Sequence, residues 1–337
     1  MSRFSVKRII LLISGLLFLI ILLLSAGAVH FLITPAKEEE GMEQVVFIRE
    51  GLSLNGVANE LEKRSIIDNK ALFGFWGKIM GSSRHIKAGE YRLSPNMPPI
   101  GILEVLTAGV VVTYPVTFPE GYTIEQIADV LDGNGLVEKE EFVSFAHNPD
   151  VLKQYNITGP SLEGYLYPDT YHLPRGISAS DAVETMVNRF RQLTGPLEKR
   201  AEIVGMTMED VIILASIVEK ETGLAEERPM IASVFLNRLK QGMRLASDPT
   251  VIYGIKGFDG NLTRKDLREP TPYNTYVIRG LPIGPIANPG LEAIKAVLFP
   301  EETDYLYFVS KNDGSHQFSR TLTEHNKAVR LYQRGER

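Results

Sequence analysis

The chain has 337 residues, 23% of them charged and 44% hydrophobic, which is typical of a globular protein with room for two domains. Lys and Arg number 36 against 41 Asp and Glu, so the formal net charge is −5. The first 33 residues hold three cations and no acid, and the remainder therefore carries 33 − 41 = −8, which argues against a nucleic-acid-binding protein. The absence of cysteine excludes disulfides, thiol catalysis and cysteine-ligated zinc.

The N-terminal segment predicts a membrane anchor. Ile9–Ala28 is uncharged over 20 positions, and as a helix it would span about 30 Å, the thickness of a hydrocarbon core. Arg3, Lys7 and Arg8 precede it and Glu38–Glu40 follow it, so the positive-inside rule places the N-terminus in the cytoplasm. A cleaved signal peptide is the alternative, but the apolar stretch is longer than usual for one. We predict a retained single-pass anchor (1–33) in the plasma (inner) membrane, a linker (34–44) and an extracytoplasmic or periplasmic remainder.

A repeat follows the linker. Glu50–Leu61 recurs 70 residues later as Glu120–Leu131, with matching Glu, Gly, Ala and Leu positions. Each copy predicts a strand, a turn and an amphipathic helix capped by Ser53 or Thr123. The first copy resembles the LysM module, which binds peptidoglycan glycan strands, and a generic strand–helix element is the alternative. The second copy fits the generic element better, because it merges into the following domain.

We predict a LysM-like subdomain over residues 45–112, with Trp76, the only tryptophan, in its core. A lone tryptophan in a small domain is more often buried than exposed for sugar stacking. One helix is predicted over Glu140–Asn156.

Thr207–Gly223 predicts the central helix of the second domain. Thr207 is the expected N-cap and Gly223 the expected stop. Val211–Val218 is apolar except for Ser216, so the helix should be buried on nearly every side.

Two carboxylates end this buried run. Glu219 continues its face, whereas Glu221 lies about 200° further round and nearer to solvent. Burial and the helix dipole should raise the Glu219 pKa from about 4.3 towards about 6, the range of a working general acid. A buried Glu paired with Lys or Arg is the alternative interpretation.

The loops around this helix suit a sugar ligand. Ser161–Tyr171 interleaves tyrosines with Glu163 and Asp169, and such rings and carboxylates can stack on and bind pyranoses; a packed turn is the alternative. Turn-rich loops over residues 269–276 and 280–290 should build a binding wall. The six histidines lack metal-ligand spacing, and we interpret His316 and His325 as structural or surface residues. The predicted fold class is α+β: an N-terminal transmembrane helix, a small LysM-like unit and a mainly helical catalytic domain (113–337) with short strands and a loop-built groove.

Several short motifs together resemble those of the endolytic murein transglycosylase family (MltG, YceG-like). The resemblance covers the anchor, the LysM-like unit and the whole domain that follows. The motifs are Leu162–Tyr171 (LEGYLYPDTY), Ala215–Glu221 (ASIVEKE), Ser247–Thr250 (SDPT), Tyr273–Tyr276 (YNTY), Gly280–Pro282 (GLP) and Glu324–Asn326 (EHN). The chain departs from the expected pattern at Tyr167, Ala246 and Ile283, of which Ala246 could alter one groove contact.

The resemblance implies a reaction and its residues. It implies cleavage of the MurNAc–GlcNAc β-1,4 bond in nascent glycan strands without water, giving 1,6-anhydroMurNAc ends and terminating glycan elongation. Glu219 would be the catalytic acid and then base, so one carboxylate suffices, whereas a hydrolase would need a second, for which Glu163 is a candidate. Glu221 is taken as structural. The expected substrate-binding residues are Glu163, Ser247, Asp248, Tyr273, Asn274 and Tyr276.

Two other classes remain open from the sequence. One is a muramidase-type hydrolase that uses water, and the other is a non-catalytic, membrane-tethered peptidoglycan-binding scaffold. The expected partners are peptidoglycan glycan strands and, through the N-terminal helix, membrane lipid, with peptidoglycan synthases as a further candidate. No cofactor, metal or nucleic acid is expected.

Overall fold

A computed structural model describes residues 3–37 and 42–335. The residues Glu38–Glu40 used in the topology prediction lie outside the described residues. The described chain up to Tyr114, with Pro174–Gly176, forms the first compact unit, and Pro115–Leu173 with Ile177 onwards forms the second. The predicted domain boundaries, 45–112 and 113–337, stay predictions.

The first unit begins with a long apolar helix. Its segment Ile10–Ile33 has the length and composition to cross a membrane, as predicted, and runs five residues past the expected end at Ala28. The elements of the unit are α1 (Arg3–Ile33), β1 (Gln44–Ile48), α2 (Leu54–Lys63), α3 (Lys70–Ile79), β2 (Gly89–Leu93) and α4 (Pro99–Ala108).

Strands β1 and β2 pair antiparallel, from Gln44 opposite Leu93 to Ile48 opposite Gly89. Their inward side chains and the apolar faces of α2, α3 and α4 form one core. Trp76 packs against this core but is only partly buried, and its indole N–H donates to the Ala28 carbonyl of α1 at 2.9 Å.

The two copies of the repeat have the same local structure. Gly51 and Gly121 turn the chain at φ 74° and 77°, values that favour glycine. Ser53 and Thr123 then cap the helices as predicted, each accepting a backbone N–H three residues on. The helices also end alike, with backbone bonds from Ile66 to Leu61 and from Leu136 to Leu131.

The second unit is mainly helical. Its elements, with the strand through which the chain enters it, are β3 (Thr113–Thr117), α5 (Ile124–Gly133), α6 (Lys139–Ala146), α7 (Pro149–Tyr155), β4 (Thr170–Pro174), α8 (Ala179–Thr194), α9 (Glu198–Ile203), α10 (Met208–Glu221), α11 (Arg228–Lys240), α12 (Asp248–Gly254), α13 (Leu291–Leu298), β5 (Tyr307–Ser310), β6 (His316–Ser319) and α14 (Leu322–Gln333). Short 3₁₀ turns lie at Gly195–Leu197, Ala225–Glu227 and Asp266–Arg268 in this unit and at Ser82–Arg84 in the first unit. Strand β3 pairs with β4 and β5 with β6. This mixture confirms the α+β prediction.

Two cores fill this unit. One lies among α5–α8, and the other surrounds α10, where α11 and α13 pack against it. Helix α10 therefore lies at the centre of this core and is covered on most sides, which explains why its sequence is nearly all apolar.

Two helix predictions were wrong in detail. The helix predicted over Glu140–Asn156 is broken into α6 and α7, because Asn148 caps α7 and Pro149 cannot continue α6. Helix α10 stops at Glu221 rather than at Gly223. Thr222 is extended (φ −141°, ψ 138°) and turns the chain away first.

Candidate active site

Helix α10 carries the site. The predicted N-cap at Thr207 is confirmed, and it forms a capping box: Thr207 accepts the Asp210 N–H, and the Asp210 carboxylate accepts the Thr207 N–H. Ser216, the polar residue of the buried run, donates to the Ile213 carbonyl at 2.7 Å and accepts the Ile286 N–H at 3.0 Å. The buried hydroxyl thereby fixes the loop before α13 onto the helix.

Glu219 is shielded and held at both oxygens. Its side chain is 5% exposed. Oε1 accepts from Arg228 Nη2 at 2.8 Å, and Oε2 accepts the Gly290 N–H at 3.0 Å. Burial raises the pKa of the carboxyl above its usual value, against the Gly290 N–H and the Arg228 charge, which lower it. Glu219 therefore has features of both predicted environments: it is buried with a raised pKa, as a general acid would be, and it is also paired with an arginine.

The second copy of the repeat forms one wall around Glu219. Arg228 also approaches the Glu120 carboxylate at 3.4 Å, and Lys220 donates to the Gly121 carbonyl at 3.2 Å. A Cβ at Gly290 would overlap with the Glu120 carboxylate. A side chain at this position would therefore have to displace the Glu120 carboxylate.

Asn288 links this wall to Glu163. The Asn288 carbonyl accepts the Gly121 N–H at 2.8 Å, and its side-chain Nδ2 donates to Glu163 Oε1, also at 2.8 Å. Asn288 and Gly290, two positions apart, therefore each hold one of the two acids that the sequence singled out.

Glu163 is an internal acid. It is 2% exposed and accepts bonds from Asn288, the Ile124 N–H at the start of α5, and the Tyr253 hydroxyl at 3.0 Å. Burial raises its pKa to about 8, against these donors. With Tyr253 and Tyr273 it lines a cavity of about 760 Å³.

Glu221 does not behave as a solvent-facing residue. Its Oε1 accepts from Ser247 Oγ at 2.5 Å, and burial raises its pKa to about 7. It lines a polar cavity of about 480 Å³ with Arg238, Asp248, Tyr276, Tyr307, His316 and His325. The expectation that Glu221 lies nearer to solvent was wrong, because loop and strand segments of the same unit cover that side of α10.

The other predicted groove residues fall into three places. Ser247, Asp248 and Tyr276 lie with Glu221, where the Tyr276 hydroxyl donates to Asp248 at 2.6 Å. Tyr273 lies with Glu163, its ring edge-on to Tyr253. Asn274 is fully buried, and its side-chain amide donates to the backbone carbonyls of Asp266 and Glu269 in the same loop. It therefore stabilises the loop instead of facing a ligand.

Sequence reasoning missed Arg228 and Gly290, which contact Glu219, and Asn288, which contacts Glu163. It also missed Glu120, whose carboxylate lies 3.4 Å from Arg228. Glu120 is the first residue of the second repeat copy, and the repeat predicts a strand–helix element without indicating that it lies beside the site. His316 was interpreted as structural or surface. It pairs with Glu227 at 2.6 Å and lines the cavity of Glu221. Among residues 3–37 and 42–335, no group of three or more His, Asp or Glu could hold a metal ion.

Comparison with known proteins gives consistent matches. The YceG-like family model matches residues 46–331. The endolytic murein transglycosylase of Bacillus subtilis (strain 168) is 33% identical over 318 residues, covering 89% of this chain and 88% of the relative. That of Streptococcus pneumoniae serotype 2 (strain D39 / NCTC 7466) is 29% identical, and this chain spans only 57% of its length. A YceG-like protein from Listeria monocytogenes, known from a 2.6 Å crystal structure, is 36% identical, with a TM-score of 0.60 over 86% of this chain and 100% of that one.

Proposed function

Because the chain belongs to the YceG-like family, we propose that Glu219 is the general acid and base of its reaction. The chain is a peptidoglycan lytic transglycosylase, the class named for its curated relatives. The observation that carries the choice of Glu219 is its environment. Burial favours the protonated acid, and Arg228 with the Gly290 N–H stabilises the carboxylate left after proton transfer.

The proposed reaction uses no water. The Glu219 carboxylic acid donates its proton to the glycosidic oxygen between MurNAc and GlcNAc, and the bond from that oxygen to MurNAc C1 breaks. The MurNAc C6 hydroxyl then bonds to C1 and gives its proton to Glu219. The acid is regenerated, and the products are a free GlcNAc hydroxyl and a 1,6-anhydroMurNAc end on the strand.

We propose that residues of two cavities bind the substrate. Ser247, Asp248 and Tyr276 offer hydroxyl and carboxylate groups in the cavity of Glu221, and Tyr273 and Glu163 do so in the cavity before α5. Asn274 contributes indirectly by holding its loop.

Glu221 is the competing acid, because it lines a cavity and its pKa is raised to about 7. Digestion of purified peptidoglycan distinguishes the two candidate acids. It is carried out with the wild-type chain, Glu219→Gln and Glu221→Gln. We expect internal fragments with 1,6-anhydroMurNAc ends from wild type and Glu221→Gln, and none from Glu219→Gln. Activity of Glu219→Gln near wild type, with a silent Glu221→Gln, would transfer the role to Glu221.

The same digestion tests the two other classes. Products one water heavier, with reducing ends, would indicate a muramidase-type hydrolase and point to Glu163 as a second carboxylate. Glycan binding without any product from the wild-type chain in membranes would indicate a scaffold.

We further propose that α1 anchors the enzyme in the plasma membrane with its N-terminus inside, so that it cuts nascent strands near the membrane and terminates their elongation. Support comes from the apolar segment Ile10–Ile33, in which a strongly apolar stretch of 18 residues is not buried within the protein. Peptidoglycan synthases, which make those strands, stay a candidate partner. Resistance to alkaline extraction from membranes, with protease digestion from the outer side only, tests the anchor and its orientation.

A further inference from the structure

Helix α3 carries an apolar surface that the first unit does not cover. Phe75 and Ile79 are one helical turn apart and share a face, and they are 52% and 61% exposed. Met80, at the end of the helix, is 44% exposed. A contiguous apolar surface of this kind marks an interaction site more often than a scattered exposed side chain does.

The same helix is fastened to α1 inside its apolar segment. The bond from the Trp76 indole to the Ala28 carbonyl lies five residues before Ile33, or about 8 Å within the end of the apolar segment at 1.5 Å per residue. Phe31 of α1 also packs against the core of the first unit. If Ile10–Ile33 occupies the hydrocarbon core, Trp76 is therefore held near the membrane–water boundary, where tryptophan is enriched.

The occupant of the α3 surface follows from this attachment. Phe75 packs edge-on to Trp76 with ring centres 5.7 Å apart, so the exposed surface is continuous with the residue that contacts the membrane segment. Lys78, the exposed charge within this turn, has a stem long enough to reach the headgroups. With α1 across the membrane, lipid acyl chains are thus the apolar material adjacent to Phe75 and Ile79.

We propose that α3 docks into the interface of the membrane that α1 spans, with Phe75, Ile79 and Met80 immersed among lipid acyl chains. The proposal rests on the membrane anchoring proposed above. It holds the LysM-like unit against the bilayer, where a newly made glycan strand would first emerge.

The cysteine-free chain permits a direct test. Single cysteines replace Ile79, Phe47 or Gly15 in the full chain, each carries a nitroxide label, and single chains are placed in phosphatidylcholine nanodiscs. Electron paramagnetic resonance then measures the accessibility of each label to oxygen, which concentrates in lipid, and to a water-soluble nickel complex. Phe47 is the matched control, because it is 49% exposed in the same unit but lies on β1.

We expect Ile79→Cys to resemble Gly15→Cys, which lies in the membrane segment, with high oxygen and low nickel accessibility, and Phe47→Cys to show the reverse. A nickel-accessible Ile79→Cys with a lipid-exposed Gly15→Cys would overturn the docking and leave the anchor intact. A nickel-accessible Gly15→Cys would overturn the anchor, and the docking with it. Protection of Ile79→Cys from both reagents would assign the surface to protein instead of lipid and also overturn the proposal.

Discussion

Replacing Asn288 with Ala should destabilise the second unit far more than the loss of one exposed amide would. Asn288 is 1% exposed, and its Oδ1 accepts the N–H groups of Gly164 and Leu166, each at 2.9 Å. The Glu163 oxygen that it contacts keeps a second donor, the Ile124 N–H, but those two N–H groups lose their partner. At about 1–3 kcal/mol for each buried unpaired group, we expect a loss of about 2–6 kcal/mol.

Thermal unfolding in detergent micelles measures this loss. At about 2–4 °C per kcal/mol for a unit of this size, the melting temperature should fall by about 4–24 °C. Asn134→Ala is the matched control, because Asn134 is exposed and its side chain donates only to the Val130 carbonyl; it should change stability by less than about 0.5 kcal/mol. Asn288→Asp keeps the acceptor but sets a carboxylate against Glu163, so its destabilisation should grow as the pH rises. Equal melting of Asn288→Ala and Asn134→Ala would refute the role of Asn288 as the link between the loops.

Three further predictions concern the acids. Arg228→Gln removes a charge that lowers the Glu219 pKa, so the alkaline limit of activity should move to higher pH, with a stability loss of about 3–5 kcal/mol; an unshifted profile would contradict the pairing. Glu163 has a folded-state pKa of about 8 against a usual 4.5, so the folded state keeps a proton that the unfolded chain releases, and stability falls as the pH rises between these values, by up to about 5 kcal/mol. The melting temperature should therefore depend less on pH across that window for Glu163→Gln than for wild type. An equal dependence on pH in the two proteins would show that Glu163 is ionised when folded. Ser247→Ala removes a hydroxyl donor that lowers the Glu221 pKa, so carbon-13 NMR titration should place that pKa above about 7, with a cost of about 1.5–3 kcal/mol; an unchanged titration would rule out the bond.

Local signals account for what the sequence predicted well. The N-cap at Thr207, the apolar run that follows it and the two repeat helices depend on residues within a few positions of one another. Glu219 could be singled out for the same reason, since a carboxylate that directly continues a buried helical face has little access to water.

The partners of that carboxylate could not be found in this way. Gly290 lies 71 residues from Glu219 and Asn288 lies 125 from Glu163, and no spacing rule relates a loop amide to a distant acid. Arg228 is only nine residues from Glu219, but the chain reverses direction between α10 and α11. The sequence does not show which basic residue after this turn points towards Glu219. The position of Glu221 depended equally on which distant segments cover α10.

The two acids at the end of α10 differ in what stabilises their ionised forms, and this difference favours Glu219 as the catalytic group. Both are desolvated, which favours the protonated form of each. Glu219 also has a guanidinium and a backbone N–H on its two oxygens, so it can lose a proton to the leaving group and hold the resulting charge. Glu221 instead accepts from the neutral Ser247 hydroxyl, and the more distant charges of His316 and Arg238 also lower its pKa. An acid that must also serve as a base within one reaction needs both protonation states to be accessible, and the environment of Glu219 provides for both.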